Sequence, residues 1–253
     1  MRLEFAGATD VGRRRDHNED ALLLLPNHQL AVVCDGMGGH QAGEVASGIG
    51  VDTVRKFFEL AQDPEATWPF GYDRQMDEPT NLLNVAARWA NERIREAGET
   101  ANGAQRGLGT TFVGLLVREA RAYFGWVGDS RGYFWRRGDL HPATSDHSLL
   151  NEMVKTGRLT QHDIDNFQHK NVITRALGMA ELPGIDVTAV DLLAGDVCLL
   201  CCDGLTGMVS DARIAEILGA EQDLDAACNQ LIGEANQNGG VDNITVALVR
   251  YTP

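Results

Sequence analysis

The chain is short of several things. Its five cysteines, Cys34, Cys198, Cys201, Cys202 and Cys228, are an odd number, and four lie in or beside apolar runs, where a free thiol behaves as a small hydrophobe. No disulfide framework is expected, and the pattern suits a reducing compartment. Cys198 and Cys201 have zinc-knuckle spacing, but a strand through "DVCLLCCDG" would point them to opposite faces and no second pair follows, so a zinc site is not expected. No window approaches the roughly 18 apolar residues of a membrane span, and "MRLEFAGATD" has no apolar stretch of signal-peptide length; a cytoplasmic protein is the expectation. Positive charge is scarce too. Lys plus Arg is 22 against 36 Asp plus Glu, a net charge of -14, which repels phosphate backbones and anionic lipid and argues against nucleic acid as a partner. There is no internal repeat, no low-complexity tract, and neither a Cys-x5-Arg phosphate loop nor a G-x-S-x-G elbow.

What is present is enough for a sizeable core: 253 residues, 43% of them hydrophobic, with no obvious linker, so one domain over residues 1–253 is expected. Four runs are apolar at successive positions and need cover on both faces: "LAVVC" (30–34), "TFVGLLV" (111–117), "VCLLCC" (197–202) and "ITVALV" (244–249). From 111 to 137 three strands follow one another across "REAR" and "DSR", connections short enough to imply antiparallel neighbours and to disfavour a parallel, Rossmann-like sheet. Helical stripes at steps of three and four occur at Val54, Phe57, Phe58 and Ala61, at Leu82, Val85, Ala86 and Trp89, and at Leu224, Ala227, Cys228, Leu231 and Ala235. Doubly covered antiparallel sheets with single-striped helices give an α+β fold, a four-layer αββα sandwich. Residues 63–80, holding Pro64, Pro69 and Pro79, read as a long loop whose Trp68, Phe70 and Tyr72 either dock a partner or, as expected of such residues, tuck onto the core. Residues 145–175 are polar with short helical patches and read as a surface flap, with His147 expected to cap the helix "SLLNEMV".

Carboxylates recur at the ends of the apolar strands. Glu19 and Asp20 precede "ALLLL", Asp35 follows "AVVC", Asp129 follows "YFGWVG", Asp203 follows "CLLCC" and Asp242 precedes "NITVALV". Any one of these could be a turn former bonding nearby amides. Six together, beside glycines in "DGMGG", "VGDSRG", "CCDGLTG" and "GGVDN", suggest a rim where the backbone comes close to a ligand. Six carboxylates meeting at one place need a counter-charge, and an all-oxygen set without His or Cys points to Mg2+ or Mn2+.

The ordered set "RRRDHNED", "VVCDGMGGHQAGEVAS", "GTT", "GDSRGY", "SDHSLLNEMVKTG", "NVITRALG", "CCDGLTGMVS" and "GGVDNITV" resembles the motifs of the bacterial type 2C metal-dependent serine/threonine protein phosphatases, over residues 9–249. The resemblance implies a β-sandwich flanked by helices with a two-metal centre at one end. By motif, Asp35 would bridge two Mn2+ or Mg2+ ions, the Gly36 carbonyl would complete one shell, Asp203 and Asp242 would ligate the other ion, Glu19 and Asp20 would bind directly or through water, and Asp129 would share a third ion with Asp203. Arg15 matches the phosphate-binding arginine. Where some members carry a histidine directly after "DG", this chain has Met37, and His40 becomes the candidate general acid. The reaction implied is hydrolysis of phosphoserine and phosphothreonine on proteins by an activated bridging water, reversing a partner kinase, in a monomer. Two other readings stay open: a phosphoprotein-binding regulator without activity, and a hydrolase of small phosphomonoesters.

Overall fold

Alternation of side chains along the strands decides the layering. In a computed structural model, which describes residues 2–38, 42–100, 107–157, 172–179 and 184–252, two antiparallel sheets lie face to face. The first runs β1 (Arg2–Asp10), β11 (Ile244–Thr252), β10 (Val197–Cys201), β7 (Arg131–Arg136), β8 (Asp139–Pro142). The second runs β2 (Asp20–Leu25), β3 (Leu30–Met37), β5 (Phe112–Arg118), β6 (Arg121–Val127), β9 (Asp186–Asp191), with the short β4 (Gly109–Thr110) also pairing β3. Period-two alternation sends Ala31, Val33, Val113, Leu115, Leu200 and Ala247 into the core between the sheets. The intervening residues face outward: Leu30, Val32 and Cys34 beneath α1 (Ala42–Leu60) and α2 (Glu78–Thr100), and Leu199, Val246 and Leu248 beneath α5 (Asp211–Ala220) and α6 (Leu224–Gln237). Three buried layers result, as four-layer packing requires.

The expected helical stripes sit where they should. Val54, Phe57 and Phe58 of α1, Leu82, Val85 and Ala86 of α2, and all five stripe residues of α6 are buried; Trp89 is partly buried, and Ala61 packs just beyond the end of α1. Helices α5 and α6 begin at side-chain caps, Ser210 accepting from the Arg213 amide and Asp223 from the Ala226 amide. The five cysteines are buried and free, and Cys198 and Cys201 fall in different cores, on opposite faces of β10.

Four expectations are corrected. The "DSR" connection does not join neighbours in one sheet: β6 belongs to the second sheet and β7 to the first, so the chain crosses between layers there, turning at Gly128 with φ 108°. The loop after α1 is shorter than 63–80 suggested, because α2 already starts at Glu78 and Pro79 lies in its first turn, where a missing N–H costs nothing. Of its aromatics, Trp68 packs edge-on to Phe57 at 5.3 Å between centroids, whereas Phe70 and Tyr72 stay exposed at 39% and 50%, Phe70 beneath the Arg88 guanidinium. Of the flap, α3 (Leu149–Lys155) is described, and residues 158–171 lie outside the described residues. Ser148, not His147, caps α3, its hydroxyl accepting from the Asn151 amide; a short polar side chain at the cap can reach that amide. Among the described residues no helix is long and apolar enough to cross a membrane.

Candidate metal centre

Antiparallel pairing puts the starts of β2, β7 and β11 at the same rim as the ends of β3, β6 and β10. Asp20 and Asp35 are direct cross-strand partners, and ligand atoms of Asp20, Asp35 and Cys202 all lie within 4.8 Å of one another. Asp35 is fixed through its backbone: its amide donates to Thr111 Oγ1 at 2.9 Å, and its carbonyl accepts from the Thr110 hydroxyl and the Thr111 amide. Its carboxylate is therefore held by the strand alone, with the side chain left for a ligand.

The glycines after Asp35 and Asp203 have a steric cause. A Cβ on Gly36 would stand 2.1 Å from the Gly43 carbonyl oxygen and 2.6 Å from that of Glu19, and one on Gly204 would stand 1.9 Å from the Asn243 carbonyl oxygen. Three backbones meet at Gly36, with its amide bonded to the Glu19 carbonyl at 3.1 Å. The shortage of side chains in "DGMGG" lets the segment before β2, the start of α1 and the end of β3 converge around one carboxylate.

Asp203 opens the short α4 (Asp203–Thr206), and Asp242 stands just before β11. Asn243 ties this corner to the N-terminal segment: its Oδ1 accepts the Glu19 amide at 2.8 Å, and its Nδ2 donates to the carbonyls of Val11 and His17. The other oxygen of the corner, Asp242 Oδ2, accepts from Arg15 Nη2 at 2.8 Å. Beside the carboxylates a cleft of about 470 Å³ is lined by Asp129, Asp203 and Asp242 together with Asp146, Ser148 and Met208. Arg131 borders it, but Asp146 holds that guanidinium in a two-pronged pair at 2.9 and 2.7 Å.

The charges strain against one another. Burial pushes Asp35 well above the usual carboxylate range, and the charges of Asp20, Asp203, Asp129 and Asp242 add to it. Burial, then the charge of Asp203, raises Asp129 to about 7; burial raises Asp20 to about 6 against the hydrogen bond from Thr245; Asp203 and Glu19 also rise, chiefly by burial. Like charges crowded together in this way call for a cation. Asp20 Oδ1 sharpens the point, being a buried oxygen with no hydrogen-bond partner among the described residues. The Cys202 thiol is otherwise engaged: burial keeps it protonated and it donates to the Asn243 carbonyl.

All of the candidate ligands named from the sequence, Glu19, Asp20, Asp35, Gly36, Asp129, Asp203 and Asp242, lie at one rim, with Arg15 among them. His40 lies outside the described residues. Sequence reading missed the supports: Thr111, whose hydroxyl also meets Ser130 Oγ at 2.7 Å, Asn243, Thr245 and the Arg131–Asp146 pair. Asn243 was adjacent to a candidate ligand and the "GTT" motif contains Thr111, but neither pattern says what the side chain would bond.

The protein phosphatase 2C model matches residues 11–238. The chain belongs to the protein phosphatase 2C family. The phosphatase is 36% identical over 260 residues to the serine/threonine phosphatase stp of Listeria innocua, covering 98% of this chain and 95% of that one. Its fold superposes with a TM-score of 0.85 on the S. agalactiae serine/threonine phosphatase, at 36% identity and covering 98% and 99% of the two chains. It also matches the catalytic domain of the phosphatase PstP, solved with two manganese ions, with a TM-score of 0.82, 31% identity and 99% of each chain covered. The enzyme class expected from the motifs, a protein serine/threonine phosphatase, stands with the family.

Proposed function

We propose that this phosphatase hydrolyses phosphoserine and phosphothreonine on proteins with the help of Mn2+ or Mg2+ held at the rim. In this reading Glu19, Asp20, Asp35 and the Gly36 carbonyl contribute from the side of the second sheet and Asp203 and Asp242 from that of the first, with Asp129 and Asp203 offering a third position. The observation that carries the reading is the convergence of carboxylates from both sheets on a place where one buried oxygen has no partner among the described residues. Bound there, hard divalent ions supply a water of lowered pKa as nucleophile and neutralise the phosphate.

The chain's own residues do the rest. Arg15 is half exposed, and Asp242 takes only one of its nitrogens, so the remaining N–H groups can fork onto two phosphate oxygens. Asn243 fixes the 11–19 segment that carries Arg15 and Glu19 relative to Asp242, so the anion-binding group and the ligands move as one body. The cleft is open and bordered by Met208 and Val241, which suits a phosphorylated side chain presented on a polypeptide. A serine/threonine kinase places the phosphate, and the phosphatase works as a single-domain monomer in the cytoplasm.

Phosphate release from a phosphothreonine peptide tests this, measured with Mn2+, with Mg2+ and with EDTA, beside Asp35→Asn. Release should require metal and collapse in the variant. A folded, Mn2+-loaded wild type that releases nothing would sink the catalytic reading, and a preference for free phosphomonoesters over the peptide at equal concentration would sink the protein-substrate reading.

A further inference from the structure

Three side chains and Asp20 itself form a closed hydrogen-bonded circuit. The Asp20 amide donates to Asn18 Oδ1 at 3.1 Å, Asn18 Nδ2 donates to Thr9 Oγ1 at 2.8 Å, the hydroxyls of Thr9 and Thr245 meet at 2.6 Å, and Thr245 Oγ1 donates to Asp20 Oδ2 at 2.6 Å. The direction of each bond follows from proton counting. A hydroxyl has one hydrogen, and that of Thr245 goes to the carboxylate, the stronger acceptor, so Thr9 must donate to Thr245; Thr9 is free to do so because Asn18 donates to it.

The circuit bridges the sandwich. Thr9 and Thr245 are cross-strand partners on β1 and β11 of the first sheet, while Asp20 opens β2 of the second. Thr245 is fully buried. Neighbouring Ile244 and Val246 point to the outer core, so Thr245 points inward, where an apolar residue would ordinarily stand between two sheets. A hydroxyl here donates to Asp20 Oδ2, a stronger acceptor than the neighbouring Thr9 hydroxyl. It occupies Oδ2 and leaves Oδ1 buried and without a partner among the described residues, on a carboxylate that has an oxygen within 4.8 Å of ligand atoms of Asp35 and Cys202.

We propose that Thr245, oriented through Thr9 and Asn18, is a positioning residue for metal binding: it saturates one oxygen of Asp20 and fixes the carboxylate so that the other is presented to a cation. The inference rests on the metal-dependent reading above and concerns this chain's support of one ligand. A merely structural Thr245 would only join the sheets, and its loss would lower stability without touching metal affinity.

Isothermal calorimetry of Mn2+ binding to the metal-free full chain separates the two. Thr245→Val keeps the shape and removes the hydroxyl; Mn2+ affinity should fall about 10- to 100-fold, the range for removing a group that orients a metal ligand. Phosphatase activity should then need correspondingly more Mn2+, with kcat largely restored at saturation. Thr245→Ser should restore affinity, and Thr9→Val, which leaves the last bond intact but unsupported, should fall between the two. Thr245→Val with Mn2+ affinity within about twofold of wild type overturns the proposal, whatever happens to its melting temperature. Should that variant fail to fold, Thr9→Val decides: weaker Mn2+ binding supports the circuit, and unchanged binding overturns it. A wild type that binds no Mn2+ would overturn this proposal together with the reading beneath it, whereas equal affinities overturn this one alone.

Discussion

Asp129→Asn should make the metal-free protein more stable at alkaline pH, the reverse of what losing a buried polar group usually does. The Asp129 carboxyl is raised to about 7, by burial first and then by the charge of Asp203, against an ordinary value of 3.8. A carboxyl whose folded pKa lies above its unfolded one binds more protons folded than unfolded between those two values, so its contribution to stability falls as pH rises through that window. Three units at about 1.4 kcal/mol each give about 4 kcal/mol of destabilisation once pH exceeds 7, an upper bound because water relaxes around a partly buried group. At pH 5 the same arithmetic leaves about 1.6 kcal/mol, and below pH 4 nothing. Asparagine has the same shape and no charge. Urea unfolding in EDTA at pH 5 and pH 8, comparing midpoints at equal m-value, should therefore show the variant more stable than wild type, with the gap wider at pH 8. With saturating Mn2+ the advantage should shrink or reverse, since the charge then has a partner. A variant no more stable than wild type at pH 8, or a gap that does not change with pH, would refute the account of the rim as a set of mutually repelling carboxylates.

Other perturbations separate scaffold from site. Arg15→Ala should change stability by less than about 1 kcal/mol, because its pair with Asp242 is half exposed, yet raise KM for a phosphopeptide, which steady-state kinetics beside a thermal melt will show. Arg136→Ala should do the opposite: Asp196, 2% exposed, accepts from that guanidinium with both oxygens, and leaving it unpaired should cost about 3 kcal/mol in urea unfolding with kcat/KM unchanged. Gly204→Ala would put a methyl 1.9 Å from the Asn243 carbonyl; backbone must move, so a loss at or above the usual limit of about 3 kcal/mol for overpacking should accompany loss of activity, and a stable, active variant would mean the α4 to β11 approach is looser than described.

How much of this could be read from residues alone depends on the range of the interaction. Asp20, Asp35, Asp203 and Asp242 are legible because each flanks a run such as "AVVC" or "CLLCC" that can only be a buried strand, and a carboxylate there has nowhere to go but the rim. Glycines beside them are legible for the same reason: close approach forbids a Cβ. Sheet membership is not legible. The apolar runs mark β6 and β7 as strands and say nothing of a crossover at Gly128, which is why "DSR" reads as a connection between neighbours. β1 and the edge strands β8 and β9 escape notice because "RLEFAGATD", "DLHP" and "DVTAVD" mix polar and apolar residues, as strands with a wet face do. Thr245 is hidden in "NITVALV" because its partner lies on the other sheet, 225 positions away in sequence.

The separation between what holds the fold and what makes the site explains how a cluster of like charges survives in a folded chain. The three cores are apolar and are built mostly on the strand bodies and under the helices, so most of their stabilisation does not depend on the carboxylates being satisfied. Burial and repulsion of charge at the rim then subtract from a stability they do not create, by at most about 4 kcal/mol for Asp129, against the roughly 5 to 15 kcal/mol typical of a domain. A ligand at 100 times its dissociation constant returns about 2.7 kcal/mol per site, the same order as that loss. Relaxing the rim by mutation and filling it with cations are thus alternative routes to the same relief, and only the second leaves charged oxygens in place for phosphate chemistry. Stiff strands behind the rim keep those oxygens close together when no cation is there, which is the condition for binding one without first reorganising the site.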